Sequence, residues 1–213
     1  MILSNAASNI GIDLSGCRVS PVRRVFVLFA VLLAVTGCAG KEFTRIPNAD
    51  LVFNQTEASE IQAKLGDPQN TMMTLVNGKE IRTWIYSYAS AVSTAGLVAG
   101  GASSRVQVFK FHQGKLVGYE YSSSFLNDPT GFDSSVIAGF REGVTTRADV
   151  VQVLGEPGGE SVYPVIDQPG DRAVTYAFTL TDANLRSSYK SLTVVFGPDD
   201  VAKAITFVDS KPI

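Results

Sequence analysis

The sequence predicts an α+β fold of two tandem units. Each unit is two short helices packed on an antiparallel meander of three to four strands. Three observations carry this expectation: a repeat within the chain, a helix-stop signal present in both copies, and hairpin signals at matching places. Residues 56–68 read TEASEIQAKLGDP and residues 145–157 read TTRADVVQVLGEP, aligned without a gap. Further on, 82–88 (RTWIYSY) aligns with 172–178 (RAVTYAF), and 108–116 runs alongside 193–201 with Phe111 opposite Phe196. Three blocks repeated in a fixed order mark a duplicated unit. Helices followed by strands in each copy give an α+β layering.

The elements follow in chain order. Short helices are expected near Asp50–Asn54 and Ser134–Phe140. The repeated block itself reads as a capped helix. Thr56, and Thr145 or Thr146, supply the cap oxygen, and Thr146 with Asp149 has capping-box spacing. Ala58, Ile61 and Leu65 in one copy, and Val150, Val151 and Leu154 in the other, form a buried stripe. Gly66 and Gly155 then end the helices, and Pro68 and Pro157 prevent their resuming. Strands follow. Thr71–Val76 and Ile81–Tyr88 meet across Asn77-Gly78, a strong two-residue hairpin signal. Val106–Phe111 and Leu116–Tyr121 pair across 112–115, and Ser191–Phe196 and Val201–Val208 pair across 197–200. The second copy also carries a longer turn at Gln168–Asp171. Trp84, Tyr86 and Tyr88 alternate along one strand and so share one face. That face is either core or an exposed contact surface, and core is the favoured reading.

This pattern of a capped helix, Leu-Gly-acid-Pro, a hairpin with Trp84, Tyr86 and Tyr88, and a strand ending in Phe resembles the BamE (SmpA/OmlA) domain. Gly143 and the block 145–157 carry the match in the second copy. The resemblance implies small outer-membrane lipoproteins, and the same α+β unit occurs in tandem in the secreted β-lactamase inhibitory proteins. The chain departs from BamE-type proteins in having two copies, and Val174 stands where the first copy has Trp84. The expected organisation is a signal segment over 1–37, a tether over 38–46, a first repeat over 47–121, a linker over 122–130 and a second repeat over 131–213.

The front of the chain is an export signal. Arg23 and Arg24 precede an apolar run from Val25 to Val35, followed by Thr36, Gly37 and Cys38. A positive patch, a short apolar stretch and small residues at the exit form a secretory signal. The run is too short for a lasting span, which needs about 20 residues. Val35-Thr36-Gly37-Cys38 resembles the bacterial lipobox. That resemblance implies cleavage before Cys38, a diacylglycerol thioether on its sulfur and acylation of its amine. Two or more acyl chains give stable anchoring, each buried CH₂ contributing about 0.8 kcal/mol. Ala39 in place of Asp favours the outer membrane by the rule of that lipoprotein class. The expected partners are therefore a membrane, through the lipid, and an envelope protein.

Composition narrows the chemistry. From residue 38 onward Asp and Glu number 19 against 15 Lys and Arg, so a nucleic-acid partner is disfavoured. Cys38 is the only cysteine of that part, and His112 is the only histidine of the chain. No disulfide framework, zinc site or Ser-His-acid order is credible on those residues. His112 reads as a solvated strand-end residue. No cofactor is expected beyond the covalent lipid, and no catalytic residue is assigned. The segment 89–104 (ASAVSTAGLVAGGASS) is unusual: small, apolar and inserted between two strands. It reads either as a flexible loop or as one that orders against lipid or a protein. The functional expectation is a non-catalytic outer-membrane docking lipoprotein, acting in barrel-protein assembly or envelope integrity. The alternative is an inhibitor or sensor of a periplasmic enzyme.

Overall fold

Alternation of apolar and polar residues dominates the second part of the chain, and strands dominate its structure. The computed structural model describes residues 40–91 and 96–210. Strands β1 (Asn70–Val76), β2 (Lys79–Ser90), β3 (Ser103–His112), β4 (Lys115–Ser123), β5 (Gly159–Val162), β6 (Arg172–Thr181), β7 (Ser187–Phe196) and β8 (Ala202–Ser210) pair in sequence order. Every pairing is antiparallel. Two α-helices of eight residues, α1 (Ala58–Leu65) and α2 (Arg147–Leu154), each precede four strands. Single 3-10 turns at Asn48–Asp50 and Ser134–Gly139 complete the helical layer.

The expected architecture of two tandem helix-plus-meander units is overturned. All eight strands belong to one sheet, because β4 pairs with β5. Residues 39–213 accordingly form one compact unit. The physical reason lies in the strand edges. A four-stranded meander would end on a row of unpaired N–H and C=O groups, and β4 and β5 satisfy theirs on each other. The expected pairs of helices also contract. The helix expected at Asp50–Asn54 is a 3-10 turn over Asn48–Asp50, and the one at Ser134–Phe140 is 3-10 over Ser134–Gly139.

Local chemistry explains most of the rest. Asn77 and Gly78 have φ of 50° and 70°, and Gln113 and Gly114 have 51° and 80°. Two successive positive φ values make the tight turns whose twist matches that of hairpin strands. Gly66 and Gly155 end the helices at φ 78° and 79°, a conformation that disfavours a side chain. Thr146 caps α2 as expected: its hydroxyl accepts from Asp149 N at 3.2 Å, and Asp149 Oδ2 accepts from Thr146 N at 2.9 Å. In the first copy the cap residue is Glu57, not Thr56, and Glu60 Oε1 accepts from Glu57 N. Thr56 and its counterpart Thr145 do a different job. Each hydroxyl accepts from the amide four residues earlier, Val52 N at 2.9 Å and Arg141 N at 2.8 Å, closing the turn ahead of the helix.

The helices cover one face of the sheet. Ile61 is buried with Trp84, Tyr86, Phe109, Phe111, Leu116 and Tyr119. Val150, at the matching place of α2, is buried with Val174, Tyr176, Leu192, Val194 and Phe196. The register repeats too: Arg82 faces Phe111 and Arg172 faces Phe196. Removing the hydroxyl in Thr146→Ala leaves the Asp149 amide without its cap, and this is expected to cost about 1 kcal/mol. Urea denaturation followed by circular dichroism measures it, and an unchanged midpoint would show that the cap is idle.

Candidate functional site

Cys38, the residue expected to carry the lipid, lies outside the described residues. So do the signal segment and residues 92–95 of the unusual 89–104 segment. What the structure places is the stretch just after the cysteine. Gly40 forms an isolated antiparallel bridge with Tyr88 of β2. A Cβ there would lie 2.2 Å from the Ser87 carbonyl oxygen, so only glycine fits. The chain then runs across the helix-side face, where Phe43, Ile46 and Leu51 are buried in the first core. Gln107 of β3 fastens it. Its Oε1 accepts from Ile46 N at 3.0 Å, and its Nε2 donates to Ile46 O at 2.9 Å. Gln107 is fully buried, so its amide acts as a piece of strand edge for the N-terminal segment. The sequence reading missed Gln107. Its signal was its place two residues before Phe109 and four before Phe111, on the same strand face as both.

The aromatic strand is core and not a contact face. Trp84 and Tyr86 are buried, Tyr88 is packed against them, and the rings of Trp84 and Phe111 meet edge to face at 5.0 Å. The Tyr86 hydroxyl donates to Gly66 O at 2.9 Å and the Tyr176 hydroxyl to Gly155 O at 2.7 Å. Each tyrosine thus ties a helix end to the sheet, and burial pushes both phenols up to about 12. His112 ends β3 with Nδ1 3.1 Å from the Glu80 carbonyl oxygen. Among the described residues no group of three or more His, Cys, Asp or Glu could hold a metal, and no helix is long and apolar enough to cross a membrane.

Charged groups missed from the sequence gather in a cleft of about 930 Å³ between the N-terminal segment and β5–β6. Glu160 holds Arg147 at 2.7 Å and Arg172 at 4.0 Å. Arg45 lies over the Tyr121 ring at 4.4 Å and donates to Asn48 Oδ1 at 2.9 Å. The Glu160 carboxylate is matched by the Arg147 and Arg172 guanidinium groups. On the opposite sheet face Glu120 is pushed up by burial, with Lys110 opposing the shift.

Strand β1, at one edge of the sheet, carries three exposed apolar side chains, and β8, at the other edge, carries Phe207 and Val208. Met72 is 54% exposed, Met73 52% and Leu75 73%. Successive strand residues point to opposite faces, so both faces of this edge carry apolar groups. The outer row of backbone groups on β1 has no neighbouring strand among the described residues.

No protein-family model matches the chain, and no curated protein matches it. Among solved structures, a crystal structure of a putative beta-lactamase inhibitor protein from Streptococcus mutans is a distant neighbour. It is 13% identical, covering 73% of this chain and 84% of that one, with a TM-score of 0.38. A likeness that slight leaves fold and function to be argued from the chain itself.

Gln107→Leu keeps the volume of the side chain and strands the Ile46 amide and carbonyl. The expected cost is about 2–3 kcal/mol, with faster hydrogen exchange at Ile46. Unchanged exchange at Ile46 would show that the clamp does not hold the N-terminal segment.

Proposed function

We propose that the chain is a non-catalytic lipoprotein of the bacterial outer membrane, anchored through Cys38, that docks onto an envelope protein along strand β1. The lipobox-like 35–38 sequence supports the anchor. The observation that carries the docking reading is the apolar edge: Met72, Met73 and Leu75 are exposed together on a strand with no neighbour on its outer side among the described residues. Long apolar edges invite another chain to pair, and folded proteins ordinarily blunt them with charge or proline. β1 (NTMMTLV) has neither. Methionine adapts to partners of varied shape, and strand addition to such an edge combines main-chain hydrogen bonds with side-chain pockets. The resemblance of the 56–68 and 145–157 blocks to BamE-type lipoproteins supports a partner in the machinery that assembles outer-membrane β-barrels.

The test is a cross-linked pull-down of the tagged, lipidated protein from detergent-solubilised envelopes. Cys38→Ser serves as the unanchored control and Met73→Glu/Leu75→Glu as the edge variant. Co-recovery of the barrel-assembly core, reduced about tenfold or more by the edge variant at unchanged circular dichroism, is the expected result. Recovery of a soluble periplasmic enzyme instead would sink the assignment and move the inhibitor or sensor reading forward. No reproducible partner would sink it as well.

A further inference from the structure

The point at which the anchored end of the chain joins the sheet fixes which part of the sheet lies nearest the lipid. Gly40 is bridged to Tyr88, close to the end of β2. Covalent geometry keeps Cys38 two residues away, within about 7 Å when fully extended. Antiparallel order brings the β2–β3 connection, the end of β4 and the β6–β7 connection to this same end of the sheet. These segments touch. Gly96 is bridged to Phe125 just after β4. A side chain at Gly101 would lie 2.4 Å from the Thr181 carbonyl oxygen, and one at Gly100 would meet Ala183. Three separate segments thus make one continuous rim.

Each segment presents a leucine: Leu97 is 41% exposed, Leu126 57% and Leu185 73%. Leu185 stands on a braced turn. Asp182 Oδ1 accepts from Asn184 N at 2.8 Å and from Arg186 N at 3.0 Å, and Asp182 N donates to Arg186 O at 2.9 Å. The rim's arginines are matched locally. Arg186 pairs with Asp182 at 3.1 Å. Arg105 lies 3.9 Å from Asp128 and over the Phe125 ring at 4.3 Å. The three leucines stand beside the exposed Asn127, Asn184 and Arg186, so the rim carries apolar groups among polar ones.

We propose that this rim rests on the bilayer surface, with Leu97, Leu126 and Leu185 seated at the boundary between headgroups and acyl chains. The occupant follows from the chain itself: the residue expected to carry the lipid is two positions from the rim, so the rim meets the surface that the lipid enters. This inference rests on the anchoring proposed above. It also orients the molecule. β2 has 12 residues, so at about 3.4 Å each it carries the Asn77-Gly78 hairpin tip away from the rim by at most roughly 40 Å. Strand β1 then stands clear of the lipid and open to a protein partner.

Depth-dependent quenching tests it. The chain has one tryptophan, Trp84, buried in the core, which gives a constant background. Lipidated full-length Leu97→Trp, Leu126→Trp, Leu185→Trp and Leu75→Trp are each reconstituted into vesicles of phosphatidylethanolamine and phosphatidylglycerol carrying brominated acyl chains. The three rim tryptophans are expected to be quenched about threefold more than the one at position 75. Equal quenching in protein whose Cys38 carries its acyl mass overturns the orientation and leaves the anchor standing. Protein that lacks the acyl mass and does not float with vesicles overturns the anchor, and this inference with it.

Discussion

Strands β4 and β5 meet over three residue pairs, Gly118 with Ser161, Tyr119 with Glu160 and Glu120 with Gly159, and the single sheet depends on them. The approach is closer than any side chain would allow. A Cβ at Gly158 would lie 2.5 Å from the Tyr121 carbonyl oxygen, and one at Gly159 would lie 2.6 Å from that of Tyr119. Both glycines are needed for contact with the β4 backbone, not for turn geometry. The seam is braced on the helix side. Arg147 of α2 reaches Glu160 of β5, and Asn48 Nδ2 donates to the Pro157 carbonyl at 2.9 Å. The N-terminal segment therefore touches both halves of the sheet.

That arrangement gives the first strand after each α-helix a different surface. β1 is an outer edge with exposed methionines, whereas β5 is an inner strand of four residues. A helix followed by strands thus leads to a sheet edge in one place and to a joint in the middle in the other. β5 is short, and at its start Gly159 approaches the Tyr119 carbonyl too closely for a side chain. An edge that has to meet a separate protein can be long and apolar, and β1 is both. The docking proposal draws on this asymmetry, which the duplicated sequence alone would not require.

Much of the local structure was legible. Both α-helices, their glycine stops, the two-residue hairpin at Asn77-Gly78 and the core face of Trp84, Tyr86 and Tyr88 follow from spacing and turn chemistry, which act within a few residues. The union of the two meanders was not legible, because it depends on contact between positions about 40 apart, such as Gly118 and Ser161. Gly158-Gly159 gave a signal that the reading passed over. Gln107 was missed because a buried amide and a surface amide look alike until the partner backbone is seen. Glu57 displaced Thr56 as the cap because the Thr56 hydroxyl is already engaged with Val52. Exposure of Met72, Met73 and Leu75 was not legible for a related reason: whether a strand lies at a sheet edge depends on pairings distant in the chain.

The most direct test of a single sheet joined at β4–β5 is equilibrium unfolding followed by two signals. Trp84 fluorescence reports the first half alone, and far-ultraviolet circular dichroism reports all eight strands. One cooperative unit requires coincident curves. The structure predicts coincidence in the native chain, and a split into two transitions in Gly159→Val, where the β4 contact is blocked. Separate transitions in the native chain would contradict it and would restore two independent units.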